Sequence, residues 1–169
     1  MITIDHVNRL DRDDFIATFA DIAEHSPWVA ARAAEHRPFA DRAALINAFQ
    51  QEVRITDEAE QLTLLRAHPD LAGRAARAGH LTSDSEREQR GAGLDTLSDD
   101  EFERFHTLNE AYKSRFGIPF IYAVKGATKH DILQAFETRL GATQGEEFMT
   151  ALTQVLRIIR FRLTDRVMD

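Results

Sequence analysis

The sequence has 169 residues, 43% hydrophobic and 29% charged, the balance of one globular domain spanning 1–169 with a sizeable core. It has no cysteine, which excludes disulfides, zinc–thiolate sites and thiol nucleophiles and fits a reducing compartment. A formal net charge of -7 argues against a nucleic-acid partner, and no apolar run approaches the roughly 20 residues of a membrane span.

In chain order, the opening MITIDHVNRLDRDD lacks the basic region and apolar core of a signal peptide. Phe15, Phe19 and Ile22 then recur at helical spacing behind the acidic start Asp11 to Asp14. Pro27 opens a short second helix, and Pro38 stops it. Asp41 caps a helix whose apolar face is Leu45, Ile46, Phe49 and Val53. Asp57 followed by Glu60 starts another, with Leu62 and Leu65 on its buried side. Pro69 ends that helix, because proline disfavours helical geometry in the residue before it. His68 is that residue, so it sits at a helix exit on a stiff Pro-Asp turn.

Two Ser-x-x-Glu patterns follow and read as capping boxes, Ser85 with Glu88 and Ser98 with Glu101. Gly91 and Gly93 in RGAGLD mark a break between helices; with no strand before them they are not a dinucleotide fingerprint. The helix after Ser98 turns Phe102, Phe105, Leu108, Tyr112 and Phe116 inward and stops at Gly117. Ile118 to Val124 is an apolar run interrupted by Pro119, and periodicity leaves a buried loop, a short strand and a helix start all open. Asp131 to Leu140 reads as a helix closed by Gly141, and Glu146 to about Arg166 as the last and longest. The closing DRVMD is not a peroxisomal address. About eight helices and no convincing pair of alternating strands predict an all-α fold, a single compact bundle, in a cytoplasmic protein.

One charge looks out of place in the last helix. With Phe148 at zero and about 100° per residue, Leu152, Val155, Ile159 and Leu163 fall within about 60° of one direction. Arg157 and Arg160 point away from it, whereas Arg162 falls at the edge of the apolar stripe. A guanidinium keeps its proton, so burying it demands an anionic partner. A structural salt bridge, or an arginine snorkelling to water, is the plainer account. A fork for a substrate carboxylate is the functional one.

Seven histidines are scattered without an HExxH or other close metal pair, so no metal site is expected. His68 stands apart because Pro69 fixes its backbone and histidine is the usual proton shuttle near neutral pH. Taken alone, it reads first as a helix-terminal histidine meeting the dipole. Ser85, Glu88 and Gln89 fall together at a predicted helix start. Either Ser85 caps, Glu88 completes the box and Gln89 is solvated, or the helix N–H groups bind an anionic ligand while Glu88 orients a histidine.

Three segments in order resemble a known family: HPDLAG at His68 to Gly73, SEREQRGAGLDTL at Ser85 to Leu97, and FHTLNEAYKSRFGIPFIYAVKG at Phe105 to Gly126. Together with Arg162-Leu163 in the last helix they are similar to the OHCU decarboxylases, with the likeness running from about Phe15 to Leu163. The resemblance implies decarboxylation of 2-oxo-4-hydroxy-4-carboxy-5-ureidoimidazoline (OHCU) to (S)-allantoin in urate degradation. It implies no metal or organic cofactor, and a homodimer whose partner is otherwise only its small-molecule ureidoimidazoline substrate. By resemblance His68 is the catalytic histidine and proton donor, Glu88 the catalytic carboxylate and Arg162 the arginine that engages substrate. Pro69 is an adjacent contact. Ser85, Glu86, Arg87, Glu88 and Gln89 form one substrate-binding segment. Phe120, Ile121, Tyr122, Ala123 and Val124 form a second, through their backbone groups. A non-catalytic helical interaction module and a metal-dependent ureide ring hydrolase are the rival readings, with DNA binding last.

Overall fold

The computed structural model describes residues 1–73, 76 and 78–169. Among them are nine α-helices, one 3₁₀ turn and one pair of two-residue strands, so the predicted all-α class holds. None of these helices is long and apolar enough to cross a membrane. The strands, β1 (Ile2–Thr3) and β2 (Val167–Met168), are parallel, pairing Ile2 with Val167 and Thr3 with Met168. Two residues are too few for alternation to register in sequence. The start of the neighbouring helix α4 (Arg42–Ile55) helps hold them: the Arg42 backbone N–H donates to the Asp169 carboxylate at 2.7 Å and its side chain to the Val167 carbonyl at 3.1 Å.

The chain forms two compact units, one of Met1–Ala67 with Val155–Asp169, the other of His68–Gln154. In the first, α1 (Ile4–Arg9) starts at a Thr3 cap, an element the sequence reading missed. The helices α2 (Arg12–Phe19), α4 (Arg42–Ile55) and α5 (Glu58–Arg66) begin where Asp11, Asp41 and Asp57 accept N–H bonds. Pro27 opens α3 (Pro27–Ala33), which tightens into a 3₁₀ turn at Ala34–His36 before Pro38. Phe15, Phe19 and Phe49 are fully buried with ring centroids 4.8–6.2 Å apart, and Val155, Ile159 and Leu163 are buried in the same unit.

The second unit holds α6 (Ser83–Gly91), α7 (Asp99–Phe116), α8 (Lys129–Leu140) and the start of α9 (Gln144–Arg166). Ser98 and Glu101 make the expected capping box, and Gly117 ends α7 in the left-handed conformation at φ 69. Residues 118–124 are an irregular segment, buried except at Tyr122, which decides between the three alternatives left open for them.

The expected phase slips at several points. Ser85 is not the cap of α6: Thr82 is, accepting the Ser85 N–H, so the helix begins earlier. That start places Asp84 and Glu86 in the first turn, where the helix dipole favours negative charge. Gln89 is buried rather than solvated. Leu62, Leu108 and Phe148 are only partly buried, while their neighbours Gln61, Asn109 and Glu147 are buried in their place. Each of those three polar groups has a hydrogen-bond partner inside its own unit, which is what permits the exchange.

Candidate active site

The α5 helix ends at Arg66 with Ala67 as its C-cap, and the chain leaves it through His68 and Pro69, the exit read from the sequence. His68 is 9% exposed. The turn that follows is held by three side chains. Lys113 donates to the Asp70 carboxylate at 2.8 Å, Asn109 Nδ2 to the Leu71 carbonyl at 2.8 Å, and the Ala72 N–H donates to Gln89 Oε1 at 2.9 Å. The Asp70 bond also raises the Lys113 pKa above its ordinary value. Ala72 sits in the left-handed region at φ 52, a strained place for a residue with a Cβ, and its N–H bond to buried Gln89 keeps it there. A Cβ on Gly73 would lie 2.8 Å from the Asp70 Cβ, so close approach, not φ, explains this glycine.

The second signature lies on α6. Ser85 is buried, Glu88 partly buried, and Glu86 and Arg87 exposed. The exposed pair is occupied along the helix: Arg90 meets Glu86 at 2.6 Å, and Arg87 pairs with Asp84. The Ser85 N–H goes to the Thr82 hydroxyl and the Glu86 N–H to the Thr82 carbonyl at 2.8 Å. These two N–H groups are therefore satisfied within the helix start. A cavity of about 250 Å³ is lined by Ala72, Gln89, Arg90, Leu94 and Phe102 among others; neither His68 nor Glu88 is in its walls.

The third signature is organised by a buried polar network. Arg139 of α8 turns Nε and Nη2 onto the Glu147 carboxylate at 2.9 Å, and Nη1 onto the Ile121 carbonyl at 2.6 Å. Tyr112 donates its hydroxyl hydrogen to Glu147. Burial first, and the Glu147 bond second, push the Tyr112 phenol well above its ordinary pKa. The Arg139 guanidinium lies 4.2 Å from the Phe120 ring centroid, and Phe120 stacks on Phe136 at 3.6 Å. Further along, the Ala123 N–H donates to Gln154 Oε1 at 2.9 Å. Thus α7 serves two signatures through one face: Asn109 and Lys113 hold the histidine turn, and Tyr112 joins the network on 120–124.

His68, Pro69, Ser85 to Gln89 and Phe120 to Val124 all belong to the second unit; Arg162 belongs to the first. Arg162 is 2% exposed, and its Nη1 donates to Glu24 at 2.9 Å and to the Asp21 and Ile22 carbonyls at 3.3 and 3.4 Å. The anionic partner that burial demands is therefore present as Glu24. Among the described residues no group of three or more His, Asp or Glu is placed to hold a metal ion.

Sequence reasoning missed Glu24, Asn109, Lys113, Arg139, Glu147 and Gln154. Two carried a signal. Asn109 interrupts the stripe Phe102, Phe105, Tyr112 and Phe116 at the spacing of a core position, and Arg139 follows Ile132 and Phe136 in the same way.

A family model described as OHCU decarboxylase matches residues 8–164. A 2-oxo-4-hydroxy-4-carboxy-5-ureidoimidazoline decarboxylase of Haloferax volcanii is 45% identical over 98% of this chain and 96% of its own. The uric acid degradation bifunctional protein of Bacillus subtilis is 42% identical over 100% of this chain, which spans 33% of that longer protein. A crystal structure of (S)-allantoin synthase superposes with a TM-score of 0.80 at 31% identity, covering 99% of this chain and 54% of that one.

Proposed function

This chain belongs to the OHCU decarboxylase family, and from that premise we propose that it decarboxylates OHCU to (S)-allantoin in uric acid degradation. The observation that carries the reading is the family match over nearly the whole chain, with its histidine turn clamped by three side chains of one unit.

Loss of carbon dioxide breaks the bond from ring carbon to carboxylate and leaves an electron pair that must be stabilised. In OHCU the imidazoline ring, through its C=N and carbonyl groups, takes up that pair, so the reaction asks for no electron-sink cofactor. In this reading Arg162 engages the substrate carboxylate. Glu24 and two carbonyls hold its guanidinium in one orientation, as a carboxylate fork requires. His68, assisted by Glu88, manages the proton on the hydroxyl or ring. Protonation of one face of the enediol-like intermediate then sets the (S) configuration. Ser85 to Gln89 and the backbone of Phe120 to Val124 hold the ring and ureido atoms, with Pro69 beside His68. Residues 1–169 act as one functional domain, in a cytoplasmic homodimer with neither nucleic acid nor membrane as partner.

The test is the rate at which OHCU, generated in place from urate by urate oxidase and hydroxyisourate hydrolase, disappears from the ultraviolet spectrum. Acceleration proportional to protein concentration, with EDTA present, is the expected result. A rate equal to the spontaneous decay, from protein shown to be folded, overturns the proposal.

A further inference from the structure

We propose that Arg139 and Gln154 are positioning residues for the substrate, fixing the peptide groups on either side of Tyr122 so that its N–H and carbonyl meet the ureido or ring amide of the bound molecule. This rests on the reading of residues 120–124 as a substrate-binding segment.

Residues 118–124 are irregular, so no helix or sheet ladder sets their peptide planes. Two side chains do so instead. Arg139 takes the Ile121 carbonyl at 2.6 Å, and Gln154 takes the Ala123 N–H at 2.9 Å. A trans peptide is planar, with its C=O and N–H pointing opposite ways. Pinning the Ile121 carbonyl to Arg139 therefore aims the Tyr122 N–H away from Arg139. Pinning the Ala123 N–H to Gln154 likewise aims the Tyr122 carbonyl away from Gln154. One residue then presents a donor and an acceptor in fixed directions. That is the complement of a ureido or lactam group, which carries both an N–H and a C=O.

The arrangement of Arg139 supports a role beyond stability. Glu147 is 1% exposed, and a buried ion pair can often be replaced by apolar side chains of similar volume without loss of stability. An apolar replacement could not hold a carboxylate with one edge and a backbone carbonyl with another. The packing leaves the guanidinium little freedom, since Glu147 and Tyr112 meet one edge and the Phe120 ring covers a face at 4.2 Å. Phe120 is itself seated on Phe136, so the start of the segment is fixed by stacking and its middle by the hydrogen bond.

The experiment measures KM and kcat for OHCU generated in place, the enantiomeric excess of the product and the melting temperature, for wild type and three variants. Gln154→Met removes the acceptor while keeping size, and Gln154→Glu keeps an acceptor. Arg139→Lys keeps a cation beside Glu147 but loses the fork. Expected for Gln154→Met are a KM raised about tenfold, a reduced (S) excess and a melting temperature lowered by only a few degrees, the cost of leaving the Ala123 N–H without its acceptor. Gln154→Glu restores KM and the (S) excess. Folded Arg139→Lys raises KM by a similar factor; if that variant fails to fold, the Gln154 pair decides alone. Wild-type KM and stereochemistry in Gln154→Met, or a KM defect that Gln154→Glu does not restore, overturns the inference while leaving the decarboxylase reading intact. A wild-type protein that does not consume OHCU removes that reading, and this inference with it.

Discussion

Among the described residues two arginines are buried, one in each unit, and each meets a glutamate. Arg162 pairs with Glu24, and its backbone contacts, to the carbonyls of Asp21 and Ile22, are long at 3.3 and 3.4 Å. Arg139 pairs with Glu147 and makes a short bond of 2.6 Å to the Ile121 carbonyl. Of these contacts the Glu24 carboxylate dominates at Arg162, whereas at Arg139 a carboxylate and a carbonyl share the guanidinium. Burial and a counter-charge are common to both and so do not identify which arginine meets substrate. What differs is the short bond to Ile121, which supports a role for Arg139 in shaping a segment; the proposal that Arg162 meets the substrate carboxylate rests on the family match instead.

The comparison can be broken or sharpened by substitution. The largest effect is expected at His68, in the unit that holds Arg139. His68→Asn should lower kcat by about 10²–10⁴-fold with its melting temperature kept, measured as OHCU turnover beside a thermal scan. Normal turnover would remove His68 from the chemistry. Next come the two glutamates. Glu24→Ala and Glu147→Ala each leave a buried guanidinium without its carboxylate and should cost about 3–5 kcal/mol in urea unfolding. A Glu24→Ala protein as stable as wild type would show that the two pairs are not alike.

Asn109→Ala strands the Leu71 carbonyl and should cost about 1–3 kcal/mol. It should also lower kcat, because the His68 turn loses one of its three clamps; unchanged kcat would mean the turn holds without it. The smallest effect concerns Asp21. The hydrogen bond from Arg166 chiefly holds its carboxyl below the ordinary range. A carboxylate with a lowered folded pKa contributes stability above its unfolded pKa and loses it as pH falls through the folded one. Wild type should therefore lose more stability than Asp21→Asn on acidification below about pH 4, by under about 1 kcal/mol for so exposed a pair. Parallel acid unfolding curves would show the bond to be immaterial.

Much of the fold was legible because its signals are local. Asp11, Asp41, Asp57 and Ser98 each bond an N–H three residues on, and that spacing is visible in sequence. The same rule failed at Ser85 because Thr82 stands three residues before it and offers the same cap with a fuller acidic first turn. Strands of two residues carry no period. At the candidate site, the histidine exit was readable from Pro69. Its clamps were not, since Asn109 and Lys113 act across 38 and 43 residues of chain. Arg139 follows Ile132 and Phe136 at core spacing, but its partners Glu147 and Ile121 lie 8 and 18 residues away and carry no local signal.

The most direct measurement of the central claim is circular dichroism of the product when OHCU is generated in place beside this protein. Protein-dependent appearance of (S)-allantoin at a rate above the spontaneous route is the result expected. Racemic allantoin at the background rate, from folded protein, would contradict it.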